Sequence, residues 1–252
     1  MTWSTSNRNV ASVDEAGTVR AVKAGTAVIT VTTADGGFKA TCKVTVLQHV
    51  TSVTLNKTSL VIKRGTETKL VASVLPSDAS NKTVNWASSD PRVVSVSVSG
   101  EIIAKSIGSA TVTAVTVDGA KKASCVINVF ESVTGVALNA EEKILYIGES
   151  ATVNAVISPS DASNKSVSFV SSDASVANVG SNGKITALKV GTATITVKTA
   201  DGGFTDTCRV IVRAHVSSVK LSDSAITLSR GKSHTLTYSV LPANAYNKNV
   251  KW

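Results

Sequence analysis

Residues 81–129 read NKTVNWASSDPRVVSVSVSGEIIAKSIGSATVTAVTVDGAKKASCVINV. Ala110, Val112 and Ala114 alternate with Thr111 and Thr113, and Ala123, Cys125, Ile127 and Val129 fall at every second position, the period of a strand with a single buried face. Val84, Trp86 and Ser88 open a further strand, and Trp86 is the only large aromatic of the segment. Ser89-Asp90, Ser99-Gly100, Ser106-Ile107-Gly108-Ser109 and Asp118-Gly119 supply turn residues at a spacing of roughly 8–12 positions. No helical period occurs, so the stretch reads as one half of an all-β domain.

The segment before it completes the unit. Val53-Thr54-Leu55 is a short strand that Asn56-Lys57-Thr58 turns into 59–63, and Arg64-Gly65 makes the next turn. Residues 67–75 are expected to form one continuous half-buried strand, with Thr68, Leu70, Ala72 and Val74 on one face. Glu67, Lys69, Val71 and Ser73 lie on the other. Pro76 ends it, and Ser77 through Lys82 form a polar loop. Val94, Val96 and Val98 are expected to share a strand running to Ser99-Gly100. Short alternating strands of this kind favour two antiparallel sheets packed face to face.

The whole pattern recurs at a period of 83 residues. Trp3, Trp86, Phe169 and Trp252 keep that interval, as do Gly25, Gly108 and Gly191, Pro76, Pro159 and Pro242, and Cys42, Cys125 and Cys208. A unit of this length can hold a small core of its own, unlike the shorter solenoid repeats that need their neighbours. The phase divides the chain into four parts. Residues 1–48 carry the closing part of a repeat, 49–131 and 132–214 are complete repeats, and 215–252 carry the opening part of another. The joins at Phe130-Glu131-Ser132 and Arg213-Ala214-His215 hold neither Gly nor Pro. Such short connectors predict tandem β-sandwiches in an elongated arrangement.

Composition agrees with a β chain: apolar residues are 42% of the total while Phe, Tyr and Trp are only 4%. The net charge is +9, yet no basic run exceeds two residues, as at Lys63-Arg64 and Lys121-Lys122. Without aromatics for stacking, this does not describe a nucleic-acid-binding surface. Residues 1–9 are polar and lack the apolar core of a secretory signal, and no segment reaches the length of a membrane span. Direct membrane insertion is not expected. One Cys per repeat at a constant phase cannot close a disulfide within its unit, because equivalent positions of separate units lie too far apart. The alternation Ala123, Cys125, Ile127, Val129 places all three cysteines on the inward face as small hydrophobes.

The spaced pattern Asn81-Lys82-Thr83-Val84-x-Trp86-x-Ser88-Ser89, Val93-Val94, Ser99-Gly100, Gly108-Ser109-Ala110-Thr111-Val112-Thr113 and Ser124-Cys125-x-Ile127-x-Val129 resembles the bacterial Ig-like domain, group 2. The next repeat carries it as Asn164-Lys165-Ser166-Val167-Ser168-Phe169-x-Ser171-Ser172, Asn182-Gly183 and Gly191-Thr192-Ala193-Thr194-Ile195-Thr196. The terminal pieces carry the remaining halves, so the resemblance covers essentially the whole chain. It implies an extracellular β-sandwich module, found in tandem in bacterial surface adhesins and enzymes and in some phage virion proteins. There it acts as a spacer or stalk and sometimes in attachment. The implied localisation is extracellular or at the cell surface within a larger exported protein, or in a virion. The family shares no catalytic residues, so none carries over, and Phe169 in place of Trp is a change a core position can absorb.

The residues themselves point the same way. Catalysis needs an acid, base, nucleophile or metal placed together, and no such set recurs within a unit. Catalytic, cofactor-binding and metal sites are each expected to be absent, and the chain is read as no enzyme and as needing no cofactor. His49 and His215 sit at the same phase beside the joins, where a surface or interdomain hydrogen bond is expected. Asp35, Asp118 and Asp201 occupy matching hairpins, and Asp90 and Asp173 matching turns, each as turn formers. Calcium needs several converging carboxylates, and each turn offers one; the nearest acidic groups beside a join are Glu131 and Glu141-Glu142. A surface protein or carbohydrate ligand could meet a sheet edge or loop tip. The basic terminal residues Arg8, Arg20, Arg230, Lys232 and Lys251 are the nearest thing to a unit-specific patch.

The terminal pieces carry one more expectation. Alone, each exposes an apolar face and open strand edges. Together they make one sandwich, with Trp3 and Trp252 contending for a single slot. They are therefore expected to pair, within a chain or between chains, and the short joins favour head-to-tail self-association.

Overall fold

A computed structural model describes all 252 residues, and they form strands and turns with no helix. Residues 1–48 hold β1 (Thr2–Thr5), β2 (Ala11–Val13), β3 (Val19–Ala21), β4 (Gly25–Thr32) and β5 (Lys39–Val46). The following repeat holds β6 (Ser52–Leu55), β7 (Ser59–Lys63), β8 (Glu67–Lys69), β9 (Ala72–Leu75), β10 (Val84–Ser88), β11 (Val94–Val96), β12 (Glu101–Ala104), β13 (Gly108–Thr116) and β14 (Lys122–Phe130). The next repeats that order as β15 (Gly135–Leu138), β16 (Glu142–Tyr146), β17 (Ser150–Thr152), β18 (Ala155–Ser158), β19 (Val167–Ser171), β20 (Ala177–Val179), β21 (Lys184–Ala187), β22 (Gly191–Thr199) and β23 (Thr205–Arg213). Only β24 (Ser218–Leu221) and β25 (Tyr238–Leu241) follow. The chain divides into two compact units, Met1–Phe130 and Glu131–Trp252.

The complete repeat shows what the alternation is for. One sheet runs β10-β13-β14-β7, antiparallel except that β7 lies parallel to β14, from Ser59 opposite Val126 to Lys63 opposite Phe130. The facing sheet is β11-β12-β8, and the β6–β9 pair packs on β13 and β14. Leu70, Val94, Ile102, Val112, Cys125 and Ile127 fill the space between them, with no exposed surface. Removing each larger side chain of this set from water contributes roughly 1.5–3 kcal/mol. Val153, Ala177, Ile185, Ile195, Cys208 and Val210 form the same core in the next repeat, across β16-β23-β22-β19 and β17-β21-β20. These are Ig-like β-sandwiches in tandem.

Residues 67–75 do not form one strand. The ladder stops after Lys69 and resumes at Ala72, so β8 pairs with β12 while β9 pairs with β6. The side chains still alternate as expected, with Leu70 buried and Val71 exposed. What divides the strand is Asn56, which accepts the Val71 N–H at its Oδ1 (2.9 Å) and donates its own N–H to the Val71 carbonyl (3.0 Å). Asn139 holds Asn154 in the same way. Leu70 meanwhile turns its N–H to the Gly100 carbonyl (2.9 Å). One segment thus serves two sheets.

Val98 also departs from expectation. It lies outside β11 and is 94% exposed. Ser97 closes a turn here, donating its N–H to the Glu101 carbonyl and accepting from Gly100, so the chain reverses before Val98 can reach a ladder. Gly100 is required at that reversal. Its φ is +82°, and a Cβ would stand 2.5 Å from the Leu70 carbonyl oxygen and 2.9 Å from the Trp86 ring.

The terminal pieces keep the local structure and lose the core. β1, β4 and β5 pair as β10, β13 and β14 do, with Trp3 opposite Val31 as Trp86 is opposite Ala114. Yet β5 ends its sheet, β2 and β3 pair only with each other, and the buried cluster is just Val10, Ala11 and Ala27. Cys42, expected to lie inside like its counterparts, is exposed; it points the right way, but no second sheet covers it. At the other end β24 and β25 pair, while residues 225–229 and 233–235, the counterparts of β7 and β8, join no ladder. A strand needs a partner, and theirs would come from the second half of the repeat.

Candidate functional site

The side chains that carry chemistry elsewhere are separately engaged here. No three His, Cys, Asp or Glu residues gather closely enough to hold a metal ion. His49 Nδ1 meets Asp118 Oδ1 at 3.0 Å, His234 Nε2 meets Asp223 Oδ2 at 3.0 Å, and His215 stacks on Tyr146 at 3.7 Å and 10°. Glu131 accepts the Ser132 N–H at 3.2 Å, and Glu142 pairs with Arg209 at 3.2 Å. Asp90 and Asp173 cap their own turns, at Arg92 and Ser175. Hydrogen bonds from the Arg92 guanidinium and the Ser175 hydroxyl, followed by those from the same residues' N–H groups, hold both carboxyls below the ordinary carboxylate value. Burial pushes the Cys125 and Cys208 thiols up, which disfavours the reactive thiolate.

What the sequence places at a constant phase, the structure assembles at the joins. The loop after each proline folds back as a turn, with Ala79, Ala162 and Ala245 donating to the carbonyls of Pro76, Pro159 and Pro242 at 2.9–3.0 Å. Those alanines are buried. The loop then grips the last residue of the preceding repeat by both backbone groups. Gln48 donates its N–H to Ser80 Oγ at 2.9 Å, and the Ser80 N–H returns to the Gln48 carbonyl at 2.9 Å. Glu131 and Ser163 form the same pair of bonds, each 2.9 Å.

A second device fixes the entry to each complete repeat. Thr116 Oγ donates to the Asp118 carbonyl (2.7 Å) and accepts from the Lys121 N–H (2.9 Å), which shapes the hairpin and aims its carboxylate. Asp118 Oδ2 then accepts the Val50 N–H at 2.9 Å, and Asp201 Oδ2 accepts the Val133 N–H at 2.9 Å. Val50 and Val133 are buried beside these bonds. The His49 hydrogen bond, followed by the Val50 N–H, holds the Asp118 carboxyl below its usual value of 3.8. The aspartates are turn residues, as read from the sequence, but their carboxylates stitch the join to the hairpin. The period of 83 shared by Asp118 and Val50 was the available signal.

The last join is built differently. Tyr246 stands where Ser80 and Ser163 do, so only the return bond survives, from the Tyr246 N–H to the Ala214 carbonyl at 3.1 Å. In compensation the Arg213 guanidinium lies 3.5 Å over the Tyr246 ring, and His215 stacks on Tyr146. A cation over an exposed aromatic face is worth about 0.5–1 kcal/mol, comparable to the hydrogen bond lost. Neither ring contact was legible in the sequence.

With this geometry in view, known proteins are informative. The family model described as Bacterial Ig-like domain (group 2) matches residues 1–44, 49–127 and 132–210. An uncharacterised protein of Clostridium acetobutylicum is 34% identical over 180 residues, 71% of this chain and 19% of its own length. The Ig-like virion protein of Serratia phage KSP90 is 33% identical over 168 residues, 65% of each chain. The kappa-carrageenase of Pseudoalteromonas carrageenovora is 41% identical over 85 residues, 34% of this chain and 21% of the enzyme. The chain thus spans less than two thirds of each relative.

Proposed function

Because the chain belongs to the bacterial Ig-like domain (group 2) family, we propose that it is a non-catalytic spacer module of a bacterial surface, secreted or virion protein. The carrying observation is the join. A spacer must transmit position from one domain to the next, and a flexible linker loses it. Here the end of one repeat is seized by two backbone bonds from the next, as at Gln48 and Ser80, and the entering strand is latched by Asp118. The relatives support this reading, since matching segments occur in a virion protein and within a short share of an enzyme. No helix is long and apolar enough to cross a membrane, and the module would be displayed by whatever carries it.

A second reading is an adhesive module for protein, glycan or cell-wall polymer. It is favoured by residues 216–252, where Lys220, Arg230, Lys232, Lys248 and Lys251 face a single acid, Asp223. Calorimetric titration with neutral and sulfated polysaccharides, kappa-carrageenan among them, separates the two. A spacer gives no saturable heat with any. Saturable binding abolished by charge reversal at Lys248 and Lys251 would replace the spacer with the adhesive reading.

A further inference from the structure

We propose that the chain pairs with a second copy of itself through β10, whose outer edge is open and self-complementary. The inference does not rest on the spacer reading. β10 bonds β13 through alternate residues. The Val117 N–H reaches the Thr83 carbonyl and the Ser89 N–H reaches the Thr111 carbonyl, so Asn85 and Ala87 between them also face β13. The N–H and C=O groups of Val84, Trp86 and Ser88 point the other way, where no strand lies. Sheet edges are ordinarily blunted by lysine, proline or a bulge. Val84-Asn85-Trp86-Ala87-Ser88 has neither charge nor proline, and its register with β13 runs without a bulge. The opposite edge of the same sheet is β7, which ends in Lys63.

The flank of this edge is apolar in one repeat only. An open hollow of about 270 Å³ beside β10 has Lys69, Val71, Val84, Trp86, Val98 and Ser99 in its lining. Val71 is 48% exposed and Val98 94%. The next repeat has Asn154 and Ser181 at those two phases. Its β19 also has an open edge, but its flank is polar and water satisfies it. At β10 the flank gains by leaving water.

The occupant follows from the strand itself. Only an extended backbone offers donors and acceptors at a two-residue spacing. Laid antiparallel about a two-fold axis at Trp86, β10 of a second copy sets Val84 opposite Ser88 and Trp86 opposite Trp86. These are the residues whose groups are free in both copies, so each pair exchanges both of its bonds. Asn85 then lies opposite Ala87 on the outer face, small and uncharged, so no like charges meet. With the axis normal to the sheet, both facing sheets fall on one side, which brings the two apolar flanks toward each other. Lys69 lies opposite Glu101 within its own sheet, so the flank carries no excess charge. The contact is isologous and closes at two chains. It uses residues of one complete repeat, and so is the same whatever adjoins the chain.

The test combines mass with amide exchange in the 252-residue chain. Sedimentation should show a 25.9 kDa species at high dilution. Twice that mass should appear above about micromolar concentration, as for a small interface. The Val84, Trp86 and Ser88 N–H groups should slow by about tenfold or more as the dimer forms, while those of Val167, Phe169 and Ser171 keep one rate. Val98→Asp should abolish both the dimer and the slowing. It should leave the unfolding midpoint unchanged, since the Val98 side chain lies in solvent. Ser181→Asp, at the same phase, should affect neither dimer nor exchange. Asn85→Cys combined with Ala87→Cys should join two chains on oxidation, because positions 85 and 87 would face each other across the axis at about 4.5 Å between Cα atoms. A chain that stays single at every concentration overturns the proposal. So does a dimer in which those three amides exchange unchanged, or one that survives Val98→Asp. Protection that appears only when an unstructured peptide is added to single chains would give the edge a different occupant, and overturns it too.

Discussion

The repeat at 49–131 and the pieces at 1–48 and 216–252 are written in one sequence pattern and meet two physical fates. Ile102 is fully buried and Val19, at the same phase, is 40% exposed. Cys125 is sealed and Cys42 is open. Ser59–Lys63 is a strand, while 225–229 is not. The difference teaches which parts of the pattern are local and which are contractual. Turns, hairpins and the β1-β4-β5 sheet form wherever their residues occur. The parallel strand, the facing sheet and the dry core form only when both halves are present, because each half supplies the hydrogen bonds and apolar surface the other lacks.

Core substitutions should break this comparison most. Ile102→Ala should cost its repeat about 2–5 kcal/mol, since it empties a sealed site. Val19→Ala should change stability by no more than about 0.5 kcal/mol in dilute solution, as for an exposed residue. Denaturant unfolding of the two variants measures both. Equal losses would mean that residues 1–48 already hold a closed core.

The turn glycines sharpen the comparison. Gly100 and Gly17 have φ of +82° and +86°, so alanine at either pays a left-handed backbone penalty of about 1–2 kcal/mol. Only at Gly100 would the new Cβ also strike the Leu70 carbonyl. Gly100→Ala should therefore lower the melting temperature of its repeat clearly further than Gly17→Ala lowers that of the terminal piece.

Smaller effects belong to the joins. Ser80→Ala removes the bond to the Gln48 N–H and should cost about 0.5–1.5 kcal/mol, with amide exchange at Gln48 rising in step. Asp118→Ala should destabilise while Asp35→Ala is silent in the single chain, because only Asp118 has a latch to lose. Folding lowers the Asp118 pKa from 3.8. Its contribution is therefore complete above that value and fades as pH falls through the lower folded one. The Asp118→Ala deficit should shrink as pH falls below about 4 and vanish in stronger acid.

Much of this was legible in the sequence, for reasons that particular residues make plain. Period-two alternation and turn residues located the strands, since both act over a few positions; Ala123 through Val129 emerged as written. The inward aspect of Cys42 was also legible, but its exposure was not, because burial depends on what faces it. The break between Lys69 and Ala72 was hidden by unbroken alternation. It follows from Asn56, a polar side chain satisfying the backbone at a distance. Val98 continued an apolar period past the point where Ser97 ends the strand. The Asp118 latch and the Tyr246–Arg213 contact link residues far apart in the chain, and pattern reading within one segment has no access to such pairs.

The claim that half a repeat folds only as far as its own hydrogen-bond partners allow is open to one direct measurement. Amide hydrogen exchange can be followed residue by residue at a dilution where the chain is a single 25.9 kDa species. The account predicts strong protection of the Leu60, Ile62 and Arg64 N–H groups, which face β14, and of the Lys143, Leu145 and Ile147 N–H groups, which face β23. Residues 225–229, at the same phase, should exchange at the rate of unstructured chain. Equal protection in all three places would contradict it.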